Sequence, residues 1–107
     1  MVDNPTHEMV STMILSAYRF AGNPTDLLAR HQQMLELYPP GSLDLHLAVT
    51  DEHGLTVYDS CPDLATQRAF VASPEFHGAI AQVGLPEPTI EVVGEVQFAH
   101  LREPVRQ

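Results

Sequence analysis

The run from Gly54 to Pro88, GLTVYDSCPDLATQRAFVASPEFHGAIAQVGLPEP, constrains the fold more than any other stretch of the chain. Leu55–Ser60 is rich in β-branched and aromatic residues and predicts a strand. Ser60-Cys61-Pro62-Asp63 and Ser73-Pro74-Glu75-Phe76 each present a hydroxyl, a proline and a carboxylate in that order. The hydroxyl oxygen satisfies an orphan N–H, and proline gives up a donor that the first turn cannot use. The carboxylate meets the positive end of the helix. A strand is therefore followed by a helix in two pieces, and Gly84-Leu85-Pro86-Glu87-Pro88 turns the chain into a further β-rich run. This is a β-α-β unit.

Upstream, residues 1–8 are polar and contain proline, which predicts a flexible tail ahead of a single domain over residues 9–101; residues 102–107 predict a second tail. Val10–Phe20 reads as a strand with apolar residues on both faces, as for a central position in a sheet. Asn23 or Thr25 caps the first helix, with Asp26 in its first turn, and Pro39-Pro40-Gly41 stops it. Leu27, Leu28, His31, Met34, Leu35 and Tyr38 fall on one stripe of that helix. Ser42–Thr50 alternates cleanly, with Leu43, Leu45, Leu47 and Val49 on one face and Asp44, His46, Ala48 and Thr50 on the other. Asp51-Glu52-His53-Gly54 is a hairpin turn, and Thr89–Leu101 is the last strand, with Gly94 marking a bulge or bend.

The order β-α-β-β-α-β predicts an α+β, ferredoxin-like fold: a four-stranded antiparallel sheet with its helices on one face. The other face would expose the leucines of the second strand, a patch that a soluble monomer rarely leaves bare. A homodimer in which two sheets close over each other, a dimeric α/β barrel, is the expected solution. The net charge of −9, from five basic and fourteen acidic residues, excludes nucleic acid and anionic membranes as expected partners. A lone cysteine, Cys61, excludes an internal disulfide and suits a reducing compartment. No signal peptide or membrane span is expected, so the expected location is cytoplasmic.

In GLTVYDSCPDLATQRAFVASPEF, Asp59 follows a strand, a polar helix start comes next, and then Phe70 and the pair Ser73 and Phe76. This pattern resembles the dimeric α/β-barrel superfamily, and within it the small antibiotic-biosynthesis-monooxygenase-like (ABM-like) domains, over about Met9 to Leu101. Such proteins commonly carry an acidic-x-Trp strand end, an aromatic or His, and Ser-x-x-Phe at these places. The resemblance implies the fold, and with it cofactor-independent oxygenation as an activity. Quinone-forming members place an Asn and a Trp where this chain has Val57 and Cys61. Haem degraders place a Trp and an iron-binding His where it has Phe70 and Ile80, so haem is not expected.

The resemblance also turns the Val57, Asp59 and Cys61 face of the third strand toward a pocket beneath the helices. A hairpin through Asp51–Gly54 then brings His46 opposite either Asp59 or Cys61. A carboxylate beside an imidazole fixes one tautomer and raises its basicity, which makes His46 a candidate base and Asp59 its orienter. His31, from the first helix, is a second polar group for the same pocket. The bland alternative is a cross-strand polar pair and a core-edge histidine. Leu27, Met34, Val57, Cys61, Phe70, Phe76 and Ile80 are the expected apolar contacts of a substrate. Cys61, at a helix start, would have a lowered thiol pKa, but no partner histidine is fixed for it in sequence. His-x-x-His and Cys-x-x-Cys spacings are absent, so neither a metal nor another cofactor is expected.

The expected function is that of a small homodimeric enzyme. Its substrate would be a modest, mostly apolar organic molecule, aromatic or polyketide-like, held between sheet and helices. The reaction would be cofactor-independent oxygenation, or acid–base cyclisation or isomerisation. The alternative is a non-catalytic dimer that binds a small ligand or another protein. An open cavity on which His46, Asp59 and His31 converge favours the enzyme, and a cavity filled by side chains favours the alternative.

Overall fold

The computed structural model describes residues 13–38 and 45–100. Its elements are β1 (Ile14–Ala21), α1 (Pro24–Leu37), β2 (His46–Asp51), β3 (Gly54–Cys61), α2 (Leu64–Ala72), α3 (Pro74–Gln82) and β4 (Thr89–Glu95). The four strands form one antiparallel sheet in the order β2-β3-β1-β4, and the architecture is the α+β, ferredoxin-like one. The expected tails, the first residues of the first strand and the Pro39-Pro40-Gly41 stop lie outside the described residues. So do Ser42, Leu43 and Asp44.

Local chemistry sets most boundaries. The Asn23 Oδ1 accepts from the Asp26 N–H at 3.0 Å with Pro24 in the first position, so Asn23 is the cap and Thr25 lies inside α1. Ser73 ends α2 and begins α3. Its hydroxyl donates to the Phe70 carbonyl at 2.7 Å and accepts from the Phe76 N–H at 3.2 Å. The other expected cap, Ser60, is not one. Its N–H donates to the Leu45 carbonyl at 3.1 Å and its Oγ accepts from the Leu45 N–H at 3.0 Å, which keeps it in β3. Asp63 caps α2 instead, accepting from the Thr66 N–H at 2.7 Å.

At the hairpin, the Asp51 carboxylate accepts from the N–H groups of His53 and Gly54, at 2.8 and 3.1 Å. Gly54 then runs past β1 with φ +149°, where a Cβ would stand 2.1 Å from the Phe20 carbonyl oxygen. Only glycine fits that approach. On the far edge, Ser16 pairs with Val92 and Leu15 with Gly94, so Val93 is the extra residue of a bulge. β4 ends at Glu95 rather than Leu101. One bond beyond it, from the Val96 N–H to the Met13 carbonyl at 2.8 Å, reaches the residue just before β1.

Tyr18, Phe20, Leu55 and Val57 on the helix side of the sheet pack with Leu27, Ile80, Val83 and Leu85 in one core. Each such side chain contributes roughly 1.5–3 kcal/mol by leaving water. On the opposite side, Leu47 (40% exposed), Val49 (49%) and half-buried Tyr58 face away from the helices. β1 is central, as its two-faced hydrophobicity predicts, and Ala17 is fully buried on the open side between Tyr58 and Glu91. No helix among the described residues is long and apolar enough to cross a membrane.

Candidate functional site

The hairpin register places His46 directly opposite Asp59, the first of the two pairings the turn allows. Both side chains rise from the helix side of the sheet. His31 descends from α1, one turn after Leu27, and both are buried because that stripe lies against the sheet. The three meet in a line. The His46 Nδ1 is hydrogen-bonded to the Asp59 carboxylate, and the His46 Nε2 lies 3.1 Å from the His31 Nε2. The two rings are almost parallel, inclined by 7°, with centroids 5.2 Å apart.

This line forms part of the wall of a cavity of about 560 Å³ between sheet and helices. Of the expected apolar contacts, Met34, Val57, Cys61, Phe70, Phe76 and Ile80 line it. Leu27 does not: it sits in the core, filling space next to Gly22 rather than reaching the cavity. An aromatic cluster closes one side, with Phe70 and Phe76 centroids 4.8 Å apart and Tyr18 at 6.4 and 5.7 Å from them.

Burial sets the protonation of this wall. His31 is 3% exposed, and its pKa falls from 6.5 to about 4, chiefly through loss of water and then through the nearby His46, with Asp59 opposing both. It is neutral at pH 7. The Cys61 thiol is pushed up, by burial first and then by Asp59 and Asp63. The expected lowering of Cys61 by a helix start fails, because Cys61 is the last residue of β3 and the helix begins three positions later. Cys61 is a neutral cavity wall and not a ready nucleophile.

Sequence reasoning underweighted two residues. The Tyr18 hydroxyl is buried with no hydrogen-bond partner among the described residues, and so is the Ser16 Oγ beside it on the same face of β1. Burial, then the neighbouring Asp59 and Cys61, hold the Tyr18 phenol far above its ordinary range, so it stays protonated. Gln67 and Ser16 lie near enough to moderate that rise without completing a bond. Glu75, at the start of α3, also lines the cavity. The other described histidines stand elsewhere. His77 bridges the Val71 carbonyl and Glu87 on the surface, while His53 and His100 are exposed. Among the described residues no three His, Cys, Asp or Glu side chains are grouped to hold a metal ion.

Solved structures share this arrangement of strands and helices. SnoaB of Streptomyces nogalater, described as a cofactor-independent oxygenase and solved in a mutant form, superposes with a TM-score of 0.51. It is 12% identical over 86% of this chain and 97% of its own. The likeness shows the ferredoxin-like fold. An AsnC family transcriptional regulator from Agrobacterium tumefaciens shares it too, with a TM-score of 0.50 and 14% identity over 97% of this chain and 63% of the regulator. Proteins so far apart in sequence share a fold and need not share a reaction. No family model and no curated protein matches the chain.

Proposed function

We propose that this protein is a small homodimeric enzyme that removes a proton from a modest, mostly apolar aromatic or polyketide-like molecule held between its sheet and helices. Proton removal opens either a cofactor-independent oxygenation, with dioxygen as co-substrate, or an acid–base cyclisation or isomerisation. In this mechanism His46 takes up the proton, Asp59 holds its tautomer and stabilises the imidazolium, and His31 completes the polar wall. Met34, Val57, Cys61, Phe70, Phe76 and Ile80 enclose the apolar body of the substrate. One observation carries the proposal: an imidazole bonded through both ring nitrogens, to Asp59 and to His31, stands in the wall of an open, apolar cavity large enough for a small organic ligand. The oxygenase description of SnoaB, on the same fold, favours the oxygenation branch.

The test presents hydroxylated naphthols and anthrones to the protein and follows absorbance and dissolved oxygen. Wild type should convert at least one of them. His46→Ala should not, while remaining a folded dimer. Turnover unchanged in His46→Ala would remove His46 from the mechanism, and tight binding with no conversion by wild type would identify a ligand-binding module instead.

A further inference from the structure

We infer that the atom receiving the substrate's proton is the Nδ1 of His31, and that His46 and Asp59 form the proton store behind it. The inference deepens the enzymatic reading above and rests on it for its chemistry. Its structural part follows from counting donors and acceptors along the line of three side chains.

An ionised carboxylate only accepts, so the contact with Asp59 requires a hydrogen on the His46 Nδ1. When His46 is neutral, its Nε2 is then a bare lone pair. The 3.1 Å contact to the His31 Nε2 needs one hydrogen, and His31 must supply it. Neutral His31 with hydrogen on Nε2 has none on Nδ1. In the resting state the basic nitrogen of His46 is therefore occupied, and the Nδ1 of His31 is the one ring nitrogen of the pair left to accept. Among the described residues it has no hydrogen-bond partner, and His31 is part of the cavity lining.

The transfer balances without an oxidant. A C–H or O–H bond of the substrate breaks, its electron pair stays on the substrate as an enolate or phenolate, and the proton bonds to the His31 Nδ1. The Nε2 hydrogen of His31 crosses to the His46 Nε2. His31 ends neutral with its hydrogen on Nδ1, and His46 ends as an imidazolium between the His31 lone pair and the Asp59 carboxylate. Charge thus comes to rest beside a counter-ion instead of on His31, where burial disfavours it. The other ionisable groups of the cavity lining are Tyr18 from β1, Tyr38 at the end of α1, Cys61 from β3 and Glu75 from α3. Tyr18 and Cys61 stay neutral there, which leaves Asp59 as the counter-ion nearest His46.

Long-range proton–nitrogen NMR on the whole chain, labelled with 15N in its histidines, reads both tautomers without any ligand. Above neutral pH His31 should carry its hydrogen on Nε2 and His46 on Nδ1. On acidification, the signal for hydrogen on the His46 Nε2 should grow in as the His31 hydrogen moves from Nε2 to Nδ1, the two changes sharing one midpoint. A His31 that already carries its hydrogen on Nδ1 at high pH, or that becomes doubly protonated before His46, overturns the inference. Turnover of the naphthol or anthrone probes separates it from the reading beneath it. His31→Gln keeps an N–H to offer His46 but has no basic nitrogen, so the rate should fall at least about 100-fold with probe affinity retained. Full activity in His31→Gln with none in His46→Ala overturns the relay and leaves His46 as the base; full activity in both overturns the relay and removes His46 from the mechanism as well, and no conversion by wild type removes the enzymatic reading.

Discussion

The Nε2 atoms of His31 and His46 lie 3.1 Å apart, although one residue stands mid-helix and the other begins a strand fifteen positions later. The contact joins α1 to the edge of the sheet and extends the His46–Asp59 pair by one imidazole. Two neutral histidines and a carboxylate hydrogen-bonded in series can move one proton along their length without moving a heavy atom. An isolated cross-strand His–Asp pair cannot, so this link makes the wall of the cavity chemically more than a polar patch.

Burial of His31 makes stability depend on pH. Its folded pKa, about 4, lies below the ordinary 6.5, so the unfolded chain binds more protons between those values. The contribution is whole above pH 6.5 and is lost as pH falls toward 4, up to about 3 kcal/mol at the acid end. Urea unfolding at pH 7.5 and pH 4.5 should show this loss, and His31→Leu should flatten it. An equal loss in His31→Leu would assign the pH dependence to other groups.

Asp59→Asn preserves shape at the sheet but removes the charge that holds the His46 imidazolium. Turnover of a converted probe should fall by about 10²–10⁴-fold. The circular dichroism spectrum should stay that of wild type, because an amide oxygen can still accept from the His46 Nδ1.

The exposed Leu47 and Val49, with Tyr58 between strands, should form the contact of a homodimer, since such a face is rarely left to water. Sedimentation should find wild type as a dimer and the double variant Leu47→Lys, Val49→Lys as a monomer. A monomeric wild type would overturn that arrangement while leaving the cavity chemistry in place.

The Tyr18 hydroxyl has no partner among the described residues, so deleting it should not weaken the fold. Tyr18→Phe should leave stability unchanged or raise it by about 1 kcal/mol, measured by thermal or urea unfolding. A loss above that would mean the hydroxyl is bonded in solution, to ordered water or a ligand atom.

Ser73→Ala removes the hydroxyl that serves both α2 and α3. A loss of about 1 kcal/mol is expected by urea unfolding, near the typical value for one cap.

Much of this was legible along the chain because it depends on neighbours in sequence. Asn23 and Ser73 cap helices through N–H groups three positions on. The Asp51–Gly54 turn limits His46 to two partners on β3, and alternation separates Leu47 and Val49 from His46. Cases where a local rule had a long-range rival were not legible. Ser60 has the chemistry of a cap, but the ladder bonds to Leu45 take it first and Asp63 caps in its place. Leu27 shares a stripe with His31, yet only His31 reaches the cavity.

By itself, then, the amino-acid order determined the succession of strands and helices, which residues share a face of each strand, and that His46 stands opposite either Asp59 or Cys61. These follow from backbone periodicity, capping and a four-residue turn. The tertiary structure alone decided that α1 lies where His31 meets His46, that a cavity stays open beside them, and that Tyr18 and Ser16 are buried with no partner among the described residues. Those outcomes depend on how far a helix slides over a sheet before its side chains interlock, a balance of packing across the whole core that no short stretch encodes.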